Sequence, residues 1–403
     1  MKQGQFRGRF SQMFAALLAC SWGIPGAHGE ESGRQGQPVV GGTLTDGYAG
    51  VVQVLVETTE AACSGTLVAP GFVLTARHCV SILAEGLSVS CVPGSEIDTK
   101  SPVVGAWPLE SLAVFLDAPQ GPRRVEVAQV FTPQQPSICG MDVALLRLAT
   151  PEEGAGLTPL RRKVPVKGER AMLVGWGVSG EESEERRKHA LEVGIREIGP
   201  RTDDLPTGQA TFVLTHELST DSGACYGDSG APLLDPTTGA GLAVFSRYEV
   251  SLKTATQSSA EDCANGRPIF TRVDAAPIRA FIEEALATRG LVPWDEGMPR
   301  PAGFDQRCGV QQPCWSGLCL DLSEGGRCTR RCSVDDPCPA SHVCAQVQGE
   351  DLCMPTAPPA EPPGCVVAPV PRGGSLAALA LPGLLLALRR RRPWRCLRNR
   401  GGS

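Results

Sequence analysis

Between Val39 and about Ala275, short apolar and β-branched runs alternate with glycines, prolines and charged residues. Val51–Val56, Gly65–Leu74, Val143–Leu148, Ala171–Val174 and Ala243–Phe245 are clear examples. Runs of this length, broken by turn formers, predict an antiparallel all-β domain, as sandwich or barrel. The period changes near its end. Ile278, Phe281, Ile282, Ala285 and Leu286 recur at helical spacing, after Pro277 and before Gly290, and predict a closing helix. The charge run Glu181–Lys188 reads as a solvated loop.

Past residue 290 the texture differs. Pro293, Gly297, Pro299, Pro301 and Gly303 predict a linker over 291–307. Cys308, Cys314, Cys319, Cys328, Cys332, Cys338, Cys344 and Cys353 then crowd a segment, 308–354, with few large apolar side chains. So short a segment needs staples, and four disulfides would supply them. Eight cysteines allow 105 connectivities, and spacing selects none. A Pro-rich spacer with Gly364-Cys365 covers 355–374, and an apolar stretch with an arginine cluster covers 375–403. The module reads equally as a binding unit or as a spacer holding the first domain off a surface.

Composition sharpens this picture at two points. The net charge of -5 hides an Arg-rich tail, so the rest of the chain is more acidic than the total, and nothing reads as a nucleic-acid surface. The 17 cysteines suggest disulfides if the chain is exported and metal or redox sites if it is not. The N-terminus favours export. Lys2, Arg7 and Arg9 precede an apolar run from Met13 to Ile24, and Ala27-His28-Gly29 offers a signal-peptidase site after Gly29. Residues 1–29 therefore read as a signal peptide and 30–38 as a propeptide. Leu17-Leu18-Ala19-Cys20 leaves open a second processing route, lipidation at Cys20.

The strongest chemical signal is Gly227-Asp228-Ser229-Gly230. A serine hydroxyl needs a base to take its proton and a third group to orient that base. It also needs N–H donors facing the developing oxyanion. The amides of Gly227 and Ser229 suit that task. Among five histidines, His78 follows an apolar strand in Leu74-Thr75-Ala76-Arg77-His78-Cys79. Asp142 opens another apolar strand, Val143-Ala144-Leu145-Leu146, where a lone acid would be costly. Each motif alone has a bland reading as turn, cap or structural residue. The conjunction, in the order His, Asp, Ser, points to acyl transfer.

These motifs together resemble the trypsin/chymotrypsin family. Val39-Val40-Gly41-Gly42 resembles its activated N-terminus, Cys63-Ser64-Gly65-Thr66-Leu67 its histidine-side strand, and Gly175-Trp176-Gly177 a strand of its second barrel. The resemblance runs from Val39 to about Ala287, within a protease domain placed at 39–290. It implies two antiparallel six-stranded β-barrels with the triad His78, Asp142 and Ser229 between them, a C-terminal helix outside, and the small disulfide-rich module appended. It implies disulfides Cys63–Cys79 and Cys225–Cys263. Cys91 and Cys139 remain, and parity pairs them. Neither cofactor nor metal is expected: metal-type spacing with histidine is absent. The partner implied is a protein or peptide substrate, and the enzyme is expected to be a monomer.

The chain departs from the family in two places. Activation would require a cut before Val39, freeing an ammonium group for Asp228, yet Pro38 stands where a basic residue is usual. The residue at the base of the primary pocket is Gly223, not Asp, and Asp221 falls two residues early. Ser246-Arg247-Tyr248 replaces Ser-Trp-Gly, so Tyr248 narrows the pocket mouth. Together these predict a preference for small or medium apolar side chains. The tail, with Cys365 at a processing site, resembles the MYXO-CTERM sorting tail of myxobacterial surface proteins. That implies a secreted or outer-membrane-anchored protein whose tail meets membrane or sorting machinery transiently. A retained anchor helix is the alternative. A catalytically silent, surface-binding protein with the protease fold, or a protease acting on one partner only, are the rival functions.

Overall fold

The first strands form by plain alternation. β1 (Thr43–Leu44) leads to β2 (Val51–Val56) and β3 (Ala61–Ala69), and a Pro70-Gly71 turn, with Gly71 at φ +73°, folds β4 (Phe72–Thr75) back on β3. β5 (Ser81–Leu83) and β6 (Val103–Ala106) make a side hairpin. β7 (Leu112–Leu116), β8 (Arg123–Phe131) and β9 (Ala144–Leu148) complete a closed barrel in the order β2-β3-β4-β9-β8-β7. In β8 the period of two is explicit: Val125 and Val127 face the core while Arg124 and Glu126 face water. Arg124 meets Glu57 on β2's outer end at 2.8 Å.

The second half repeats the architecture. Its strands are β10 (Arg170–Gly175), β11 (His189–Ile198), a small hairpin of β12 (Arg201–Asp204) and β13 (Ala210–Val213), then β14 (Glu217–Thr220), β15 (Pro232–Leu234), β16 (Gly241–Glu249) and β17 (Arg267–Arg272). The sheet order is β1-β11-β10-β15-β16-β17-β14, and pairing of β11 with β14 closes six of these strands into a second antiparallel barrel. The fold is chymotrypsin-like, two six-stranded barrels followed by helix α1 (Ala276–Ala287). Ile278, Ile282, Ala285 and Leu286 are buried on one face of α1. The helix stops where Gly290 turns left-handed at φ +64° and Leu291 N–H bonds the Leu286 carbonyl.

This computed structural model describes residues 41–84, 91, 103–118, 121–150, 156–177, 187–205, 208, 210–221, 223–225, 227–249, 266–322, 325–334 and 336–356. The proposed signal peptide, the propeptide, Val39, Cys263, Cys365 and the 375–403 tail lie outside the described residues. Among the described residues, no helix is long and apolar enough to cross a membrane. Lys188 departs from the solvated loop expected of its neighbourhood. It is buried, ion-paired to Asp117 and placed 5.4 Å from the Trp176 ring centroid.

The 291–307 segment is bound along the barrels. Leu160 N–H bonds the Trp294 carbonyl at 2.8 Å, Arg161 meets Glu296 at 3.0 Å, and Arg162 and Arg279 both hold Asp295. The cysteine-rich segment is two hairpins, β18 (Cys319–Leu322) with β19 (Gly325–Cys328) and β20 (His342–Val347) with β21 (Glu350–Pro355). Each has the same staples, first cysteine to third and second to fourth: Cys308–Cys319 with Cys314–Cys328, then Cys332–Cys344 with Cys338–Cys353. Closing loops this short contributes about 3 kcal/mol per disulfide. Trp315 then plugs the pair of hairpins into the first barrel: it is 5% exposed, belongs to that barrel's core, and meets Trp294 edge-on.

Candidate active site

The site is assembled from three loops and strand β16 at the junction of the barrels. After β4, a single 3-10 turn, Arg77–Cys79, lifts His78 out of the sheet. The Cys79–Cys63 disulfide ties that turn to β3. Asp142 stands in the turn before β9 and is fully buried. Its carboxylate accepts three hydrogen bonds: from His78 N–H to Oδ1 at 3.0 Å, from His78 Nδ1 to Oδ2 at 2.7 Å, and from Ser246 Oγ to Oδ2 at 2.7 Å. Burial alone would raise the Asp142 pKa, but His78 and the Ser246 hydroxyl outweigh it and hold the carboxyl below its ordinary value. Burial likewise would lower the His78 pKa, and the Asp142 charge and hydrogen bond overcome it, so the imidazole sits above its ordinary value. With Nδ1 donating to Asp142, Nε2 is the acceptor on the neutral ring.

Ser229 comes from the loop between β14 and β15. This loop is sewn onto β3 and β4. Ser64 N–H bonds the Ser229 carbonyl at 2.7 Å, Ser64 Oγ bonds the Gly227 carbonyl at 3.3 Å, and Thr75 Oγ1 bonds the Ser64 carbonyl at 2.7 Å. Ser64 follows Cys63, and Thr75 is three residues before His78, so one strand pair positions both nucleophile and base. Gly227 takes φ +86° and Gly230 φ +80°, which make the loop turn sharply on either side of Ser229. Asp228 N–H bonds Cys225 and Ala231 N–H bonds Asp228, while among the described residues the amides of Gly227 and Ser229 have no hydrogen-bond partner. Two free N–H groups beside a hydroxyl are what an oxyanion needs.

Behind the nucleophile, Asp228 is fully buried. Its carboxylate accepts Gly177 N–H and Cys225 N–H, each at 3.0 Å. Gly175 is required there, since a Cβ would overlap the Asp228 carboxylate. Gly223, the residue expected at the base of the primary pocket, has φ +119°, and a Cβ on it would meet Leu191, Leu173 and Val193 side chains at 3.0–3.1 Å. Ala224 is fully buried beside it, and Tyr248 packs on the same apolar cluster. Asp221 is exposed and turned to β11, accepting Gly194 N–H at 2.9 Å and lying 3.8 Å from Arg170. Its carboxylate is thus engaged with β11 and Arg170.

Cys91 and Cys139 are joined and packed against Leu214. Cys225 is disulfide-bonded; Cys263, its expected partner, lies outside the described residues. The sulfurs grouped with His78, Cys63 and Cys79, are engaged in a disulfide rather than free to bind metal. Arg77 departs from the family's pattern beside the triad, as the sequence shows, and Glu217 lies outside every motif. Arg77 sends its Nη1 to the carbonyls of Gln135 (2.6 Å) and Ser137 (3.3 Å), holding the Asp142 loop. Glu217 is fully buried and forks onto Arg247. The arginine in place of an aromatic was a visible signal; a search for its buried acid would have led to Glu217.

A family model described as Trypsin matches residues 39–276. Phenoloxidase-activating factor 3 of Holotrichia diomphalia is 26% identical over 202 residues, covering 45% of this chain and 54% of that protein. Serine protease SP24D of Anopheles gambiae is 29% identical over 218 residues, covering 52% of this chain and 72% of that protein. The chain thus spans about half the length of the first relative.

Proposed function

Since the chain belongs to the trypsin family, we propose that it is an exported serine endopeptidase with an apolar primary pocket. The observation that carries the activity is the fully buried Asp142 bonded to both His78 and Ser246, beside a serine loop with two unengaged amides. Ser229 Oγ attacks the substrate carbonyl while His78 Nε2 takes its proton. Asp142 holds Nδ1–H and stabilises the imidazolium. The carbonyl oxygen, now negative, receives the N–H groups of Gly227 and Ser229. Collapse returns the proton from His78 to the leaving amine and leaves an acyl-enzyme. Water repeats the sequence and releases the acid.

The preference for small or medium apolar side chains is supported by Gly223, Ala224 and the Leu191–Leu173–Val193 floor, with Tyr248 at the mouth. Activation follows a cut before Val39, whose new ammonium pairs with Asp228 and orders the oxyanion loop. Pro38 makes the activating protease one that does not require a basic residue there, or a trimming exopeptidase. Export rests on residues 1–29 and surface anchoring on Cys365 and the Arg-rich tail. The test is a peptide-library cleavage profile of the exported protein with its N-terminus sequenced. Cleavage after Ala, Val or Leu that disappears in Ser229→Ala is the expected result. A profile dominated by Arg or Lys would refute the pocket reading, and absence of any cleavage with Val39 free would favour a silent binding protein.

A further inference from the structure

We propose that the buried Glu217–Arg247 ion pair is a positioning clamp for Asp142, joining the two barrels behind the triad. The inference rests on the proteolytic reading of that site. Glu217, at the start of β14, has no exposed surface, and the Arg247 side chain is 6% exposed. Their contact is bidentate, Nη1 to Oε1 at 2.6 Å and Nη2 to Oε2 at 3.1 Å. The remaining acceptor capacity of the carboxylate goes to backbone. Oε1 takes Gly140 N–H at 3.1 Å and Oε2 takes Leu214 N–H at 3.0 Å. One carboxylate from the second barrel thus grips the first barrel's loop two residues before Asp142.

The guanidinium grips from the other side. Arg247 follows Ser246, whose hydroxyl donates to Asp142. The β16–β17 register slips between Phe245 and Arg247, so Ser246 sits in a bulge. A bulge can aim consecutive side chains to the same side of a strand, and here Ser246 reaches Asp142 while Arg247 reaches Glu217. The pair therefore acts on Asp142 by two routes, through Gly140 and Met141 along the chain and through Ser246 across the cleft. Arg77 holds the same loop from within the first half, and the Cys91–Cys139 disulfide reaches the second half by apolar packing on Leu214. The ion pair adds directional hydrogen bonds to that crossing. Buried pairs seldom add stability over an apolar pair of like volume; the clamp gives this one a role in geometry instead.

The test is made on the full exported protein with two readouts, His78 titration by NMR and the rate of fluorophosphonate labelling at Ser229. The first variant is Glu217→Met with Arg247→Met, which removes both charges together and leaves no lone buried ion. The second is Arg247→Lys, which keeps the charge and loses the fork. If the pair positions Asp142, the His78 pKa falls toward about 6.5 in the double variant. Labelling per folded molecule then slows about tenfold or more, with Arg247→Lys between it and wild type. If the double variant does not fold, Arg247→Lys decides alone by the same two shifts. A His78 titration unchanged from wild type in a folded variant overturns the clamp. Wild-type protein that never labels would refute the hydrolase reading instead, while the His78 titration still decides the clamp.

Discussion

Replacing Gly230 by alanine should disable the nucleophile out of proportion to its effect on stability. Gly230 follows Ser229 at φ +80°, and a Cβ there would lie well inside 3.0 Å of the Ser64 carbonyl oxygen and Thr75 Oγ1, and 3.0 Å from the Ala76 nitrogen. Ordinary Cβ contacts are 3.4–4 Å. Two of the three obstacles are backbone atoms of the strands that carry His78, so they cannot rotate away. The serine loop must instead retreat by roughly 1 Å, a displacement that can cost about 100-fold in rate. The left-handed backbone itself costs alanine about 1–2 kcal/mol. Gly239 isolates that second effect: it has φ +71° in the β15–β16 turn and nothing within 4 Å of a would-be Cβ. Fluorophosphonate labelling and thermal melting of both variants separate the two contributions. Both should melt earlier than wild type, and only Gly230→Ala should lose labelling. Equal labelling rates in the two variants would refute the packing argument.

Further predictions follow from the same geometry. Labelling at Ser229 should fall as pH drops through the His78 pKa, with a midpoint above the ordinary histidine value of about 6.5, because the imidazole must be neutral to accept the proton. In Ser246→Ala, Asp142 loses a donor and its pKa should rise toward the ordinary carboxylate value; an Asp142 titration that stays put would show the hydroxyl does not hold the carboxylate. The raised His78 pKa also means that the imidazolium's contribution to stability is full below the unfolded value and disappears as pH rises through the folded one. Trp315→Ala should destabilise the protease domain by about 3–5 kcal/mol, since that ring completes the first barrel's core; an unchanged melting temperature in calorimetry would show that the hairpins merely sit beside it.

The triad was legible because each member is announced locally. His78 and Asp142 flank apolar strands, and Ser229 lies in a glycine turn whose geometry the motif encodes. The closing helix was legible by its period. Glu217 was not legible by itself, because its partner lies thirty residues away on another strand; the unusual Arg247 beside Ser246 was the one local signal that pointed toward it. Lys188 ended a charge run, and only the three-dimensional approach of Asp117 and Trp176 makes it an interior residue. The cysteine module's connectivity was equally closed to spacing arguments. Its two hairpins show why the numbers repeat: intervals of 6, 5 and 9 residues in the first and 6, 6 and 9 in the second serve the same pair of staples. The proline- and glycine-rich 291–307 segment reads as a tether, yet Asp295 and Glu296 meet arginines of both the barrel loops and α1.

The central claim is that Ser229, activated by His78 and Asp142, is a working nucleophile. The most direct measurement is fluorophosphonate labelling of the full-length protein, with the modified residue mapped by mass spectrometry and Ser229→Ala as the control. A single adduct on Ser229, absent from the control and dependent on His78, is the expected result. Protein with Val39 as its free N-terminus that takes no label would contradict it and leave a protease fold used for binding.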